Sequence, residues 1–291
     1  MKSIELRGAH LRATIVPAAG GRVRRLGLRR GDAWGPLLYD AGAGALTQQP
    51  LLSGSYLMAP WPGRVAGASF EWRGRRYELP ANHGPHSIHG RGVWLPWRVD
   101  DASDDACRLS LALDDGWPFR GGAVTQDIRI DGPTLEQRVV VSTRADAFPA
   151  AAGWHPWFRR TLAGADDVAV RLPASRVYDA VDLIPTGALV PVTADLDLRR
   201  GAPVAGRALD ACYVLDDGGI LLDWGALRLR ITSSANVRYA VVYTTPHAVC
   251  VEPQTAANDA FNLTSRGIAC GVAVVTPDSP LTAWTRWTVE P

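Results

Sequence analysis

The sequence carries 29 glycines and 21 prolines dispersed along 291 residues, and this punctuation limits the fold more than any other feature. Both residues disfavour helix interiors, by about 1 kcal/mol for glycine and about 3 for proline relative to alanine, so long helices have little room. The stretches between them read as short strands. Leu227-Arg228-Leu229-Arg230-Ile231-Thr232 alternates apolar and polar residues with period two, as a half-buried strand does. Phe70-Glu71-Trp72 and Arg75-Arg76-Tyr77-Glu78-Leu79, separated by Arg73-Gly74, have the form of a tight hairpin. Gln126-Asp127-Ile128-Arg129-Ile130 runs into Asp131-Gly132, a strong turn dipeptide, before Leu135-Glu136-Gln137-Arg138-Val139-Val140-Val141. No long amphipathic stretch, low-complexity segment, repeat or linker-like shift in composition breaks this pattern. The expectation is an all-β chain in which residues 1–291 form a single domain of two large packed sheets.

Hydrophobic residues at 47% against 21% charged supply enough apolar surface for a sizeable core, which excludes global disorder. Lys and Arg number 31 and Asp and Glu 29, a net charge of +2. That balance gives no strong field for nucleic acid or anionic lipid and points to a small neutral ligand. The N-terminal Met1-Lys2-Ser3-Ile4-Glu5-Leu6-Arg7 lacks the apolar core of a secretory signal, and no apolar run is long enough to span a bilayer. Cys107, Cys212, Cys250 and Cys270 are far apart and form no C-x-x-C pair, so they read as reduced thiols of a cytoplasmic protein.

Five segments depart from the strand pattern by concentrating polar groups among Trp, Pro and Gly. They are Pro60–Arg64 (PWPGR), Asn82–Gly90 (NHGPHSIHG), Gly153–Phe158 (GWHPWF), Leu209–Tyr213 (LDACY) and Cys250–Thr255 (CVEPQT). Together they offer an Arg, several His, an Asp and a Glu beside rigid rings, the mixture a sugar site needs: aromatic faces for C–H faces, charged and amide groups for hydroxyls. His83, His86 and His89 at three-residue spacing suggest a metal site, but Gly84-Pro85 breaks any helix there, and along a strand alternate residues share a face. No metal is expected at these histidines, and His83 reads as loop-exposed. Trp94 and Trp154 are the tryptophans nominated as sugar platforms.

The ordered set of motifs resembles the aldose 1-epimerase (galactose mutarotase-like) family: MAPWPGRV at 58–65, HSIHGRGVWLPWRV at 86–99, WPF at 117–119, GWHPWF at 153–158, LDACY at 209–213 and CVEPQTAANDAFN at 250–262. The resemblance implies a large β-supersandwich and an isomerase that interconverts the α and β anomers of a free aldose without metal or organic cofactor. By position it implies Glu252 as the base for the anomeric hydroxyl, His155 as the acid for the ring oxygen, and Arg64, His89 and Asp210 as sugar-binding residues. Family members often have Asn before the Arg and His after the Asp; Gly63 and Ala211 stand there in this chain.

The residue types suit the chemistry. Opening a cyclic hemiacetal needs a base at the anomeric hydroxyl and an acid at the ring oxygen, and a carboxylate near ~4.3 with an imidazolium near ~6.5 brackets mildly acidic to neutral pH. Two other functions stay open on sequence alone. One is an epimerase of a phosphorylated hexose, for which Arg91 beside His89-Gly90 offers a phosphate ligand. The other is a non-catalytic sugar-binding protein on the same fold, which would have no need of the Glu252 and His155 pair.

Overall fold

A computed structural model describes residues 1–291 except 43, 114–118, 163, 166 and 291. Trp117 and Pro118 of the WPF motif therefore lie outside the described residues. The architecture is the expected all-β one. Among the described residues the two α-helices reach only four and six residues, at Ala45–Gln48 and Ala260–Ser265, and no helix is long and apolar enough to cross a membrane.

Two large sheets carry the fold, one of eleven strands and one of nine, with antiparallel neighbours. The strands of the larger sheet that matter here lie side by side in the order Ser55–Met58, Gly153–Arg159, Ala248–Gln254, Tyr239–Thr244, Asp210–Val214, Arg176–Val181 and Ile184–Pro191. The smaller sheet includes Gly122–Asp131, Thr134–Thr143, Leu281–Glu290 and Arg228–Ser233. The hairpin read at 70–79 forms as Ser69–Trp72 with Arg75–Glu78, its turn made by Arg73 and Gly74, both at positive φ (51° and 71°). The second hairpin closes one residue later than Asp131-Gly132 suggests. Asp131 pairs with Thr134, so Gly132-Pro133 is the loop, with the proline placed where no ladder N–H is required.

Period-two alternation sorts the larger sheet into two faces. Leu57, Trp154, Phe158, Val249, Val251, Ala240, Val242 and Tyr213 point into the main hydrophobic cluster, which also takes Ile128, Val139 and Trp287 from the smaller sheet. Phe158 meets Trp287 edge-to-face at 5.1 Å between ring centres, so the sheets pack directly on each other. The intervening residues point to the opposite face. There Tyr56, Trp157 and Cys250 gather in one small cluster and Tyr178, Cys212, Tyr239 and Val241 in another. The polar residues of interest stand on this second face.

Candidate functional site

His155 and Glu252 sit on adjacent strands, each next to a proline, and the prolines shape the ladder between them. The register pairs Gly153 with Gln254 and Trp157 with Cys250, but nothing between, because Pro156 and Pro253 have no N–H to donate. The strands are still held at both ends of this gap, and on its outer side Gly153–Pro156 pairs with Ser55–Met58. Across the gap, His155 Nε2 lies 3.2 Å from Glu252 Oε1. The other carboxylate oxygen, Oε2, accepts from Gln254 Nε2 at 3.3 Å, since residues 252 and 254 share a strand face.

Aromatic rings enclose the imidazole. Tyr56 stacks on it at 4.8 Å and Trp157 at 5.4 Å, while His89 meets it edge-on at 5.1 Å. Beneath Tyr56 the fully buried Arg22 guanidinium lies 5.3 Å from the ring centre and donates to the carbonyls of Ala19, Ser53 and Pro50. It thereby fixes the 50–53 segment, whose Leu51 and Leu52 line the cavity above.

That cavity, about 400 Å³, has the size of a small-molecule site. Arg64, His89, His155, Asp210 and Glu252 all line it, so the five residues singled out from the sequence converge on one place. Each arrives differently. Asp210 opens its strand opposite Tyr243, which also lines the cavity, and Ala211 packs against the main core. Arg64 stands on the two-residue strand Arg64–Val65, paired with Ser87–Ile88. His89 follows directly with φ at 58°, a left-handed conformation that non-glycine residues adopt at a cost of about 1–2 kcal/mol. Its backbone N–H donates to Gly63, and Gly90 packs so closely that a Cβ there would lie 2.1 Å from the Ala59 carbonyl oxygen.

Burial dominates the electrostatics. It pushes the Glu252 carboxyl well above the usual carboxylate range, with the Asp210 charge adding to the effect and Arg64 opposing it. It pulls His155 down to about 3, and the nearby Arg22 cation acts in the same direction. His89 is held well below the ordinary imidazole value by burial and then by His155 and Arg64, and burial raises Asp210 against the pull of Arg64. For the 3.2 Å pair the two shifts act together, both against the charged forms. Burial favours the neutral acid and neutral imidazole over two opposite charges.

Some residues differ from their sequence reading. Trp154 belongs to the inter-sheet core, because it alternates with His155; Trp157, two residues after His155 and on the same face, is the tryptophan in the cavity. Trp94 does not line the cavity, and its indole N–H donates to the Ile88 carbonyl. His83 is loop-exposed as expected, yet it also forms part of the cavity mouth. His86 Nδ1 accepts from the Gly67 N–H. Among the described residues, the group whose atoms lie within metal-binding reach is instead His155, Cys250 and Glu252, with ligand atoms within 4.8 Å of one another.

Tyr56, Arg22, Asn258 and Asp259 were not anticipated. The Asp259 N–H donates to Arg64 at 2.7 Å, and its carboxylate accepts from the Ala66 N–H at 2.8 Å, so this residue clamps the Arg64 strand. The signal that could have found it is its place in CVEPQTAANDAFN; the signal for Trp157 was the alternation itself.

The aldose 1-epimerase family model matches residues 2–285. YihR of Escherichia coli K12, an uncharacterized protein, is 26% identical over 175 residues, covering 57% of this chain and 56% of YihR, so the chain spans about half the length of that relative. In structure, the chain is similar to a galactose mutarotase-like protein from Clostridium acetobutylicum, with a TM-score of 0.86, 18% identity and coverage of 98% of this chain and 94% of the other. It is similar also to the GalM/aldose epimerase homologue from C. elegans, with a TM-score of 0.84, 18% identity and coverage of 99% and 98%. At such identities the structural likeness speaks for the fold, a galactose mutarotase-like arrangement of large antiparallel sheets. The family match reaches across nearly the whole sequence, and the chain belongs to the aldose 1-epimerase family.

Proposed function

We propose that the protein is a mutarotase that interconverts the α and β anomers of a neutral free aldose. The observation that carries this reading is the contact between His155 Nε2 and Glu252 Oε1, 3.2 Å apart and buried at the floor of a sugar-sized cavity. A binding protein needs hydroxyl partners but not a buried acid–base couple holding one proton.

The mechanism uses that proton. When the sugar replaces water and brings its own hydroxyls, the proton moves from Glu252 to His155, giving a carboxylate and an imidazolium. Glu252 then takes the proton of the anomeric O1 while His155 donates its proton to the ring oxygen O5. The C1–O5 bond breaks and C1=O1 forms. This step returns the pair to the neutral acid and neutral imidazole, the form burial favours, so ring opening discharges two buried charges as it proceeds. Rotation about C1–C2 exposes the other face of the aldehyde, and the reverse transfers close the ring as the opposite anomer. Both protons travel on protein side chains, so the scheme needs no metal or organic cofactor. Arg64, His89 and Asp210 hold the remaining hydroxyls. We place the protein in the cytoplasm, with its four buried unpaired thiols in support.

The charge of the cavity favours a neutral sugar over a phosphorylated one. A phosphate monoester carries about −1.5 to −2 at neutral pH. Among the described lining residues the permanent cation is Arg64, facing Asp210 and Glu252, and Arg91 does not line the cavity. The test is anomer exchange followed by NMR on a panel of neutral aldoses and their 6-phosphates, with the buffer rate subtracted. Acceleration of at least one neutral aldose is expected. Tight binding of aldoses without acceleration would favour the non-catalytic alternative, and acceleration confined to the phosphates would overturn the choice of substrate class.

A further inference from the structure

Leu183 has no part in the scheme above, yet the backbone that carries it is under strain. The strands Arg176–Val181 and Ile184–Pro191 form a hairpin at one edge of the larger sheet, and Val181 pairs with Ile184, so Asp182 and Leu183 alone make the turn. Both have positive φ, at 49° and 65°. The turn between Trp72 and Arg75 also has two positive φ angles, 51° and 71°, and there a glycine takes the second place. Glycine or asparagine is the usual occupant of such a position, because a larger side chain crowds the left-handed backbone. Strain of this kind persists where the surroundings impose it, and it gathers at ligand sites. The leucine is not there to fill the core: it is 37% exposed and stands outside the hydrophobic clusters of the described residues.

Two features set the course of the hairpin. Tyr178 pairs with Leu189 and Ala180 with Pro185, so Thr186, Gly187 and Ala188 stand opposite Asp179 alone, and a bulge of this kind bends its strand. The Thr186 hydroxyl secures the bulge, lying 3.2 Å from the Asp179 carbonyl oxygen and 3.1 Å from its carboxylate. Gly187 then docks the hairpin on Ile268 and Leu263, where a Cβ would lie 2.4 Å from Ile268 Cδ1 and 3.5 Å from Leu263 Cδ2. The turn so held presents Leu183 to the main cavity, which Arg64, Asp210 and Glu252 also line.

We infer that Leu183 is a specificity-determining residue whose side chain packs on a C–H face of the bound aldose at the mouth of the cavity. The inference deepens the mutarotase reading and rests on it. Contact with carbon-bound hydrogens takes the exposed leucine out of water, which favours binding. A hydroxyl, carboxylate or phosphate turned towards Leu183 gives up its own water and gains no partner from that side chain. The substrate class is thus a neutral aldose whose face towards the hairpin carries hydrogens only.

The test compares the wild type with Leu183→Gly, which suits the backbone and removes the side chain, with Leu183→Asn, which suits the backbone and is polar, and with Leu183→Met, which keeps an apolar side chain. Each is assayed for anomer exchange and, independently of turnover, for aldose binding by calorimetry, using the best neutral aldose and its C2, C3 and C4 epimers. Leu183→Gly and Leu183→Asn should raise KM and Kd about three- to tenfold, with kcat lowered less than about twofold. Because both relieve the strain, neither should denature earlier than the wild type in urea. Leu183→Met should bind within about twofold of the wild type. At least one epimer, turning a hydroxyl towards the hairpin, should bind the wild type about tenfold or more weakly, and Leu183→Asn should narrow that ratio by about threefold or more. An unchanged Kd in Leu183→Gly and Leu183→Asn overturns the inference, as does an equal loss of affinity in Leu183→Met or an epimer ratio that Leu183→Asn leaves as it was. Earlier denaturation of both Leu183→Gly and Leu183→Asn overturns it too, since the leucine would then serve the fold. A wild type that binds aldoses but turns none over sinks the mutarotase reading alone, because the calorimetric comparison still decides the role of Leu183.

Discussion

If Glu252 and His155 share one proton, removing either should disable both. In Glu252→Gln the amide keeps the shape of the side chain and its contact with the imidazole, but the carboxylate that holds and exchanges the proton is gone. The remaining His155 lies between Tyr56 and Trp157, with burial pulling it down to about 3, so at neutral pH it is a neutral imidazole, too weak an acid to protonate the ring oxygen. One substitution therefore removes the base and also the acid. A positioned proton transfer contributes about 10²- to 10⁴-fold. Loss of two linked transfers should lower kcat by about 10³- to 10⁵-fold, which is about 4–7 kcal/mol of transition-state stabilisation. His155→Asn should fall in the same range, and the double variant should lose less than about tenfold beyond either single one, as groups acting as a unit do. The assay is saturation-transfer NMR of anomer exchange, with the uncatalysed and buffer-catalysed rates subtracted at each pH, and with sugar affinity measured by calorimetry to show that the site still binds. Single losses that multiply in the double variant would mean an independent acid and base and would refute the shared proton. Near-normal turnover in Glu252→Gln would remove Glu252 from the chemistry altogether.

Further predictions follow from the same geometry. On the shared-proton reading the active pair holds one proton: a second one must go to His155, which burial has lowered, and the last one must leave Glu252, which burial has raised. The pH profile of kcat/KM should therefore be broad, with an acid limb below the ordinary imidazole value of about 6.5 and an alkaline limb above the ordinary carboxylate value of about 4.3, both belonging to the pair. An acid limb at the ordinary imidazole value would refute this. Cadmium or zinc should inhibit by taking His155, Cys250 and Glu252 as ligands, and Cys250→Ser should weaken that inhibition by about tenfold or more; equal sensitivity of the two proteins would refute it. Gly90→Ala, placing a Cβ 2.1 Å from the Ala59 carbonyl oxygen at a φ of 66°, should destabilise the fold by about 2–5 kcal/mol in chemical denaturation, and a change under about 0.5 kcal/mol would contradict the close approach.

The strands were legible because period two and turn residues are local signals. Even the second hairpin was displaced by only one residue, where Pro133 competed with Asp131 for the loop. The five proposed site residues were legible through their motifs, not through any property of the side chains taken singly. What escaped the sequence depends on which distant segments touch. Asp259 grips a backbone N–H 193 positions away, and no local pattern encodes such a contact. Arg22, in a Gly-Gly-Arg-Val run, has the composition of a surface turn, yet it is wholly buried because three carbonyls and an aromatic face converge on it. Trp154 was misjudged for a different reason. The alternation that placed His155 on one face of its strand had already assigned Trp154 to the other.

The gap that two prolines open in the central ladder also separates what this protein can vary from what it must keep. His155 and Glu252 are anchored in strand interiors, fixed by paired neighbours on both sides of the gap, so a change in their spacing would disturb the sheet itself. Leu51, Leu52, His83, Leu183 and Asn258 reach the same cavity from turns and short connections, outside the ladder of the central strands. On the mutarotase reading, relatives of this chain could take new sugars by remodelling the rim while the His155 and Glu252 pair stays untouched, and the diversity of a lineage built on this plan should be concentrated in those connecting segments.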